Sequence, residues 1–168
     1  MSPPIIALQA PSGTGKTTLM VGMIAAMSDT GLRVAVLKHA GHAHVLDKSG
    51  SDSHRCRVAG ATRAAVVNEH TLAVFGPSPP RGPRALAESL FPDAHLVLAE
   101  GWRGHGLPVL RVLREGGPAG HDWQTPDPVV AWATDGDRAP DGTPALPLRD
   151  PAAVARWICA HLGVAWPD

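Results

Sequence analysis

The chain has 168 residues and a formal net charge of zero, which suits one domain with an ordinary core and excludes a general field drawing it to nucleic acid or acidic lipid. Its longest apolar runs are far shorter than the roughly 20 residues of a membrane span, and the opening "MSPPIIALQA" has no basic residue ahead of its apolar run, which predicts no secretory signal. Two cysteines, Cys56 and Cys159, make no disulfide framework and fit a reducing cytoplasm.

In chain order, Ile5 to Gln9 reads as a buried strand, followed by "APSGTGKTT" and a helix from Lys16 to Thr30 with Leu19, Met20, Met23, Ile24 and Met27 on one face. "RVAVLK" predicts a second buried strand ending at Lys38. Ser51 to Ala59 reads as a helix with Ser51 or Asp52 at its N-cap. Ala64 to Val67 and Leu72 to Phe75 are short strands, Arg84 to Leu90 a helix, and "HLVLAE" a strand ending at Glu100. Val109 to Leu113 and Val129 to Thr134 follow as strands, and Pro151 opens a last helix running to about Leu162. Strands apolar on both faces, alternating with helices, predict an α/β fold: a mostly parallel sheet of the P-loop NTPase type with helices on both faces. The Gly- and Pro-rich stretches read as loops within one domain spanning residues 1–168.

The stretch after the first strand carries chemistry. A phosphate-binding loop has the form G-x-x-x-x-G-K-[ST]; here Ala10 takes the leading position and Gly15, Lys16 and Thr17 complete it. Ser12, Gly13, Thr14 and Gly15 are placed to turn backbone N–H groups around a phosphate, with the two glycines free to adopt φ > 0. The leading position lies where the strand enters the loop, so a methyl group there has only to fit. Lys16 is expected to reach the β- and γ-phosphates and Thr17 to ligate Mg²⁺, with Thr18 beside them on the first turn. Glu100, at the end of a buried strand, is the expected second Mg²⁺ contact or the group that orients a hydrolytic water. Asp47 or Asp52 is a further candidate for the Mg²⁺ shell, and Arg55 for holding a phosphate or acidic ligand. Asp135, in "TDGD", can accept from a guanine N1 and N2. His39, His42, His44 and His54 lie close in sequence with Cys56, a spacing that also admits Zn²⁺ or Ni²⁺.

These residues, with "KHAGHAHVLDKSGSDSHRCRVAGA", resemble the molybdopterin-guanine dinucleotide biosynthesis protein B family. Lys38-His39, the block of Asp47, Gly50, Asp52, Ser53 and Arg55 leading to Ala59-Gly60-Ala61, and Glu100-Gly101-Trp102-Arg103 follow its pattern, as do Pro108 and Arg114. The likeness covers Ile5 to about Asp135. Three departures stand out: Ala10 for glycine, Gly41 and Ala43 for histidine and an acidic residue, and Arg111 for an acidic residue. The resemblance implies a cytoplasmic, homodimeric GTP-binding protein with weak Mg²⁺-dependent GTPase activity that assists the molybdopterin guanylyltransferase. It makes Lys38, His39, Arg55, Arg103 and Asp135 ligand contacts beside the phosphate loop, and molybdopterin a further ligand. Two other readings share the loop: a small-metabolite kinase holding its acceptor near Arg55 and Arg103, and a nickel-enzyme maturation GTPase. Finally, the apolar run from Leu107 to Leu113 is too apolar for an exposed sheet edge. Either another part of the chain covers it or a second copy pairs with it; the resemblance to a homodimeric family favours the second, which would extend the sheet across a homodimer.

Overall fold

A computed structural model describes residues 2–40, 45–78, 81–115 and 126–167. The chain packs as two compact units, residues 40–80 and the remainder. The larger unit is built on a six-stranded sheet in which every pairing is parallel. Its strands are β1 (Ile5–Gln9), β2 (Val34–Lys38), β5 (Leu96–Glu100), β6 (Val109–Leu113), β7 (Val129–Thr134) and β8 (Ala145–Pro147), in the spatial order β2-β5-β1-β6-β7-β8.

Alternation along β1 explains the layering. Ile6 and Leu8 face one side, where they pack with Met20, Met23 and Met27 of α1 (Lys16–Asp29) and Val154 and Ile158 of α4 (Pro151–Leu162). Ile5 and Ala7 face the other, against Ala87 of α3 (Pro83–Leu90) and Leu107. The methionine stripe of α1 is therefore core, its flexible side chains filling the space against the sheet. Pro151 opens α4 behind Asp150, whose carboxylate accepts from Ala153 N at 3.0 Å. The expected strands and helices are all present, and helices cover both faces of the parallel sheet. β8 is an addition that the sequence reading left as loop.

One expectation is corrected. β6 is not an edge seeking a partner: it lies between β1 and β7, with Val109, Leu110 and Val112 fully buried. The apolar run reflects a central strand buried on both faces. Arg111, in the middle of that run, is also buried, with its guanidinium over the Trp132 ring at 5.3 Å. An extension of the sheet through β6 is excluded by this order.

The smaller unit holds α2 (Asp52–Val58) and an antiparallel pair, β3 (Ala64–Val67) with β4 (Leu72–Phe75). Its helix starts as expected, with Ser51 as N-cap accepting from His54 N. None of its described residues is buried.

Candidate functional site

The loop between β1 and α1 stands at the carboxyl end of β1, whose neighbours β5 and β6 are reached in opposite directions across the sheet. That is the switch point at which open parallel sheets bind ligands. Gly13 and Gly15 both take positive φ, +81° and +87°, a left-handed conformation that costs glycine little. Thr14 turns inward instead, its hydroxyl donating to Pro11 O at 2.9 Å, which staples the loop shut. Gly15 is the N-cap of α1, so the positive end of the helix opens where the loop's amides gather.

Ala10 is accommodated. It is partly buried and packs against the α1/α4 core, so a methyl group at the leading position fits sterically.

A cavity of about 470 Å³ opens above the loop, lined by Ser12, Gly13, Gly15, Lys16, Thr17, Thr18, Lys38 and Glu100 among others. Lys16 Nζ donates to Glu100 Oε1 at 2.6 Å, and Lys38 Nζ lies 3.7 Å from Glu100 Oε2. Burial alone would raise the Glu100 pKa; the Lys16 hydrogen bond and the charges of Lys16 and Lys38 outweigh it and hold the carboxyl below its ordinary range. Glu100 is therefore an ionised oxygen donor facing the Thr17 side of the loop. A hydroxyl and a carboxylate are hard oxygen ligands of the kind Mg²⁺ takes.

The ends of β2 and β5 are locked together beside this cavity. His39 N donates to Glu100 O at 2.8 Å. A Cβ on Gly101 would come within 2.7 Å of His39 O, so only glycine fits there at its φ of +80°. Trp102 then packs edge-on to His39 with ring centroids 4.9 Å apart and donates its indole N–H to Leu37 O. His39 thus supports the turn after Glu100. Arg103 follows on the same loop, exposed.

The Gly104 and Gly106 amides both donate to the carboxylate of Asp127, at 2.7 and 2.8 Å, and Gln9 Nε2 reaches the same group at 3.1 Å. Asp127 is buried and ties the loop after Trp102 to the last residue of β1. Sequence reasoning missed it, because a lone aspartate in "TPDP" looks like turn chemistry.

Asp135, at the end of β7, accepts from Glu115 N at 2.7 Å and has Arg149 Nη2 4.0 Å away. Part of its acceptor capacity is thus engaged by the chain itself.

In the smaller unit, Asp47 accepts from Ser51 and Ser53 at one oxygen and from Arg57 at the other. Burial pushes its pKa up, but the bonds from Ser53, Arg57 and Ser51 outweigh that and lower it. Arg57, rather than Arg55, is the guanidinium that holds this block together; the sequence reading had singled out only Arg55. Asp52 and Arg55 sit in the open, 3.7 Å apart, on the exposed face of α2. An open hollow of about 840 Å³ runs along that helix past His54, Arg55 and Cys56. Its lining is a helix without a buried residue, so the hollow is open surface rather than a built site. Of the histidine segment, His42 and His44 lie outside the described residues, and no group of three or more His, Cys, Asp or Glu converges among those described.

Residues 5–135 match the family described as molybdopterin guanine dinucleotide synthesis protein B. The chain is 34% identical over 122 residues to the molybdopterin-guanine dinucleotide biosynthesis adapter protein of Escherichia coli (strain K12), a match spanning 70% of this chain and 69% of that protein. It is 32% identical over 114 residues to the adapter protein of that name from Haemophilus influenzae, spanning 67% and 64%. Among solved structures, Bacillus subtilis MobB superposes with a TM-score of 0.72 at 22% identity, covering 95% of this chain and 98% of that one. A crystal structure of molybdopterin-guanine biosynthesis protein B gives 0.72 at 24%, covering 95% and 99%. At these identities the structural likeness speaks for the fold.

Proposed function

Because this chain belongs to the molybdopterin guanine dinucleotide synthesis protein B family, we propose that it is a nucleotide-binding adapter in molybdopterin-guanine dinucleotide biosynthesis. The observation that carries the nucleotide part of this reading is the meeting of Lys16, Thr17 and Glu100 in one cavity at the mouth of a P-loop. The bound nucleotide in this reading is GTP with Mg²⁺. The metal would neutralise charge on the β- and γ-phosphates, and Thr17 and Glu100 are the residues that would hold it. Lys16 leaves Glu100 for phosphate, the loop amides and the α1 terminus supply the remaining donors, and Lys38 stays beside Glu100 to balance its charge.

Hydrolysis in the isolated chain is expected to be slow. A positioned arginine is worth about 10³ or more in rate to a P-loop NTPase, and Arg103, on the loop after Glu100, is exposed. We assign the working complex to the cytoplasm, with the guanylyltransferase as partner, molybdopterin as its cargo and a second copy of the chain as companion. The homodimer reading now rests on the β3/β4 pair, where Val66, Val67, Leu72 and Val74 are all more than half exposed, and no longer on β6.

Calorimetric titration of the chain with GTP and with ATP, each with Mg²⁺, tests the reading. GTP binding in preference to ATP, abolished by Lys16→Ala while the thermal transition stays in place, is the expected result. Micromolar GTP affinity retained by Lys16→Ala removes the P-loop assignment. For assembly, sedimentation of wild type against Val67→Lys with Leu72→Lys should show a dimer converted to a monomer.

A further inference from the structure

A second cavity, of about 220 Å³, adjoins the phosphate cavity across the first turn of α1; the two share Gly15 and Thr18. Their chemistry differs. The first presents two lysines and a carboxylate, as a polyphosphate requires. The second has an apolar floor from Leu19 and Leu148 and two guanidinium groups, Arg114 and Arg149, at its rim. Arg114 follows β6, and its Nη2 lies so close to the P-loop that a Cβ on Gly15 would stand only 3.1 Å away. Arg149 follows β8 and faces the Asp135 carboxylate at the end of β7. The carboxyl ends of β6, β7 and β8 therefore converge on this one hollow.

We propose that this cavity receives the nucleoside end of the nucleotide and that Arg114 is the residue that fixes it there. The inference rests on the nucleotide-binding reading above and extends it to a residue and a place. A flat heteroaromatic ring suits an apolar floor on one side and a planar guanidinium on the other, because the guanidinium both stacks on a ring face and donates in its own plane. A bare phosphate has no use for Leu19 and Leu148. Gly15 then has two duties: its left-handed backbone turns the loop, and its missing side chain leaves room for Arg114 to approach the seam between the cavities.

The test is titration of the full chain, with Mg²⁺, by GTP, GDP and inorganic tripolyphosphate, in wild type, Arg114→Ala, Arg114→Lys and Lys16→Ala. Arg114→Ala is expected to weaken GTP and GDP by the same factor, about two- to fivefold for the loss of one exposed cation–ring contact, and to leave tripolyphosphate unchanged. Arg114→Lys, which keeps the charge and loses the plane, should not rescue. Lys16→Ala should weaken tripolyphosphate and GTP together. If Arg114→Ala costs tripolyphosphate as much as GTP, or costs GTP nothing, the assignment is overturned while the P-loop reading stands. A wild-type chain that binds neither GTP nor tripolyphosphate overturns the underlying reading, and does so before any variant is compared.

Discussion

Lys16 Nζ lies 2.6 Å from Glu100 Oε1, so the lysine that the P-loop presents is bonded to the carboxylate at the end of β5. The pair sets the order of events on binding. In the proposed complex, phosphate would take Lys16 from Glu100, and Mg²⁺ held by Thr17 and Glu100 would replace the lost cation.

Glu100→Gln should therefore separate two effects. Without Mg²⁺, GTP is expected to bind more tightly to the variant, because the cavity loses a negative charge and Lys16 is no longer held by it. With Mg²⁺, the gain in affinity that the metal confers on wild type should shrink by about tenfold or more, roughly 1.4 kcal/mol. Paired titrations in Mg²⁺ and in chelator measure both; an unchanged metal-dependent gain would remove Glu100 from the metal shell.

The same carboxylate predicts a pH dependence. Its folded pKa lies below the ordinary value of about 4.5 because the lysines outweigh the effect of burial. A depressed folded pKa contributes stability that is fully present above the unfolded value and lost as pH falls through the folded one. Denaturant unfolding should thus show a loss of stability on acidification below about pH 4.5, and Glu100→Gln should flatten that part of the profile. Asp47 and Asp141 are lowered too, so the difference between wild type and variant, not the whole slope, isolates Glu100.

Ala10→Gly restores the glycine of the common P-loop pattern, yet little gain is expected. Ala10 packs on the α1/α4 core, so glycine removes a buried methyl group and adds freedom to the unfolded chain. Each effect costs up to about 1 kcal/mol. GTP affinity should change by less than about tenfold while the melting temperature falls. A larger gain in affinity would show that alanine distorts the loop.

Gly22→Ala pits two effects against each other. Alanine gains up to about 1 kcal/mol of helix propensity over glycine. At this position, however, a Cβ would meet Pro151 at 2.7 and 2.8 Å, and Pro151 is fixed at the start of α4. Overpacking of this kind costs typically 1–3 kcal/mol, so sterics win. The variant should melt lower than wild type, and a rise would mean that α1 and α4 can move apart freely.

The elements themselves were legible because their signals are local: apolar runs, the Ser51 and Pro151 starts, and the glycines of the phosphate loop. Strand order is not local. Val109 to Leu113 is apolar at both parities except at Arg111, which is the mark of a strand covered on both faces, but the run itself does not say what covers it. The Arg111 guanidinium lies over the Trp132 ring inside the fold, a contact that needs the β6–β7 pairing to exist. β8 went unread because three residues ending in Pro147 carry almost no periodicity. Within the site, Lys16, Thr17 and Glu100 could be paired from motif logic alone. The approach of Arg114 to Gly15 spans about a hundred residues, and Asp127 reaches Gly104 and Gly106 from 23 and 21 residues on; neither leaves a spacing to read.

The absence of any buried residue among the described positions 45–78 has a thermodynamic consequence for that unit. Side chains such as Val58, Val67 and Leu72 are 66–75% exposed, so they contribute little of the burial free energy that offsets chain entropy. Opening of this unit should therefore be cheap beside opening of the sheet core, and its amides should exchange with solvent first. Whatever covers it in the working complex will register as slowed exchange confined to α2, β3 and β4.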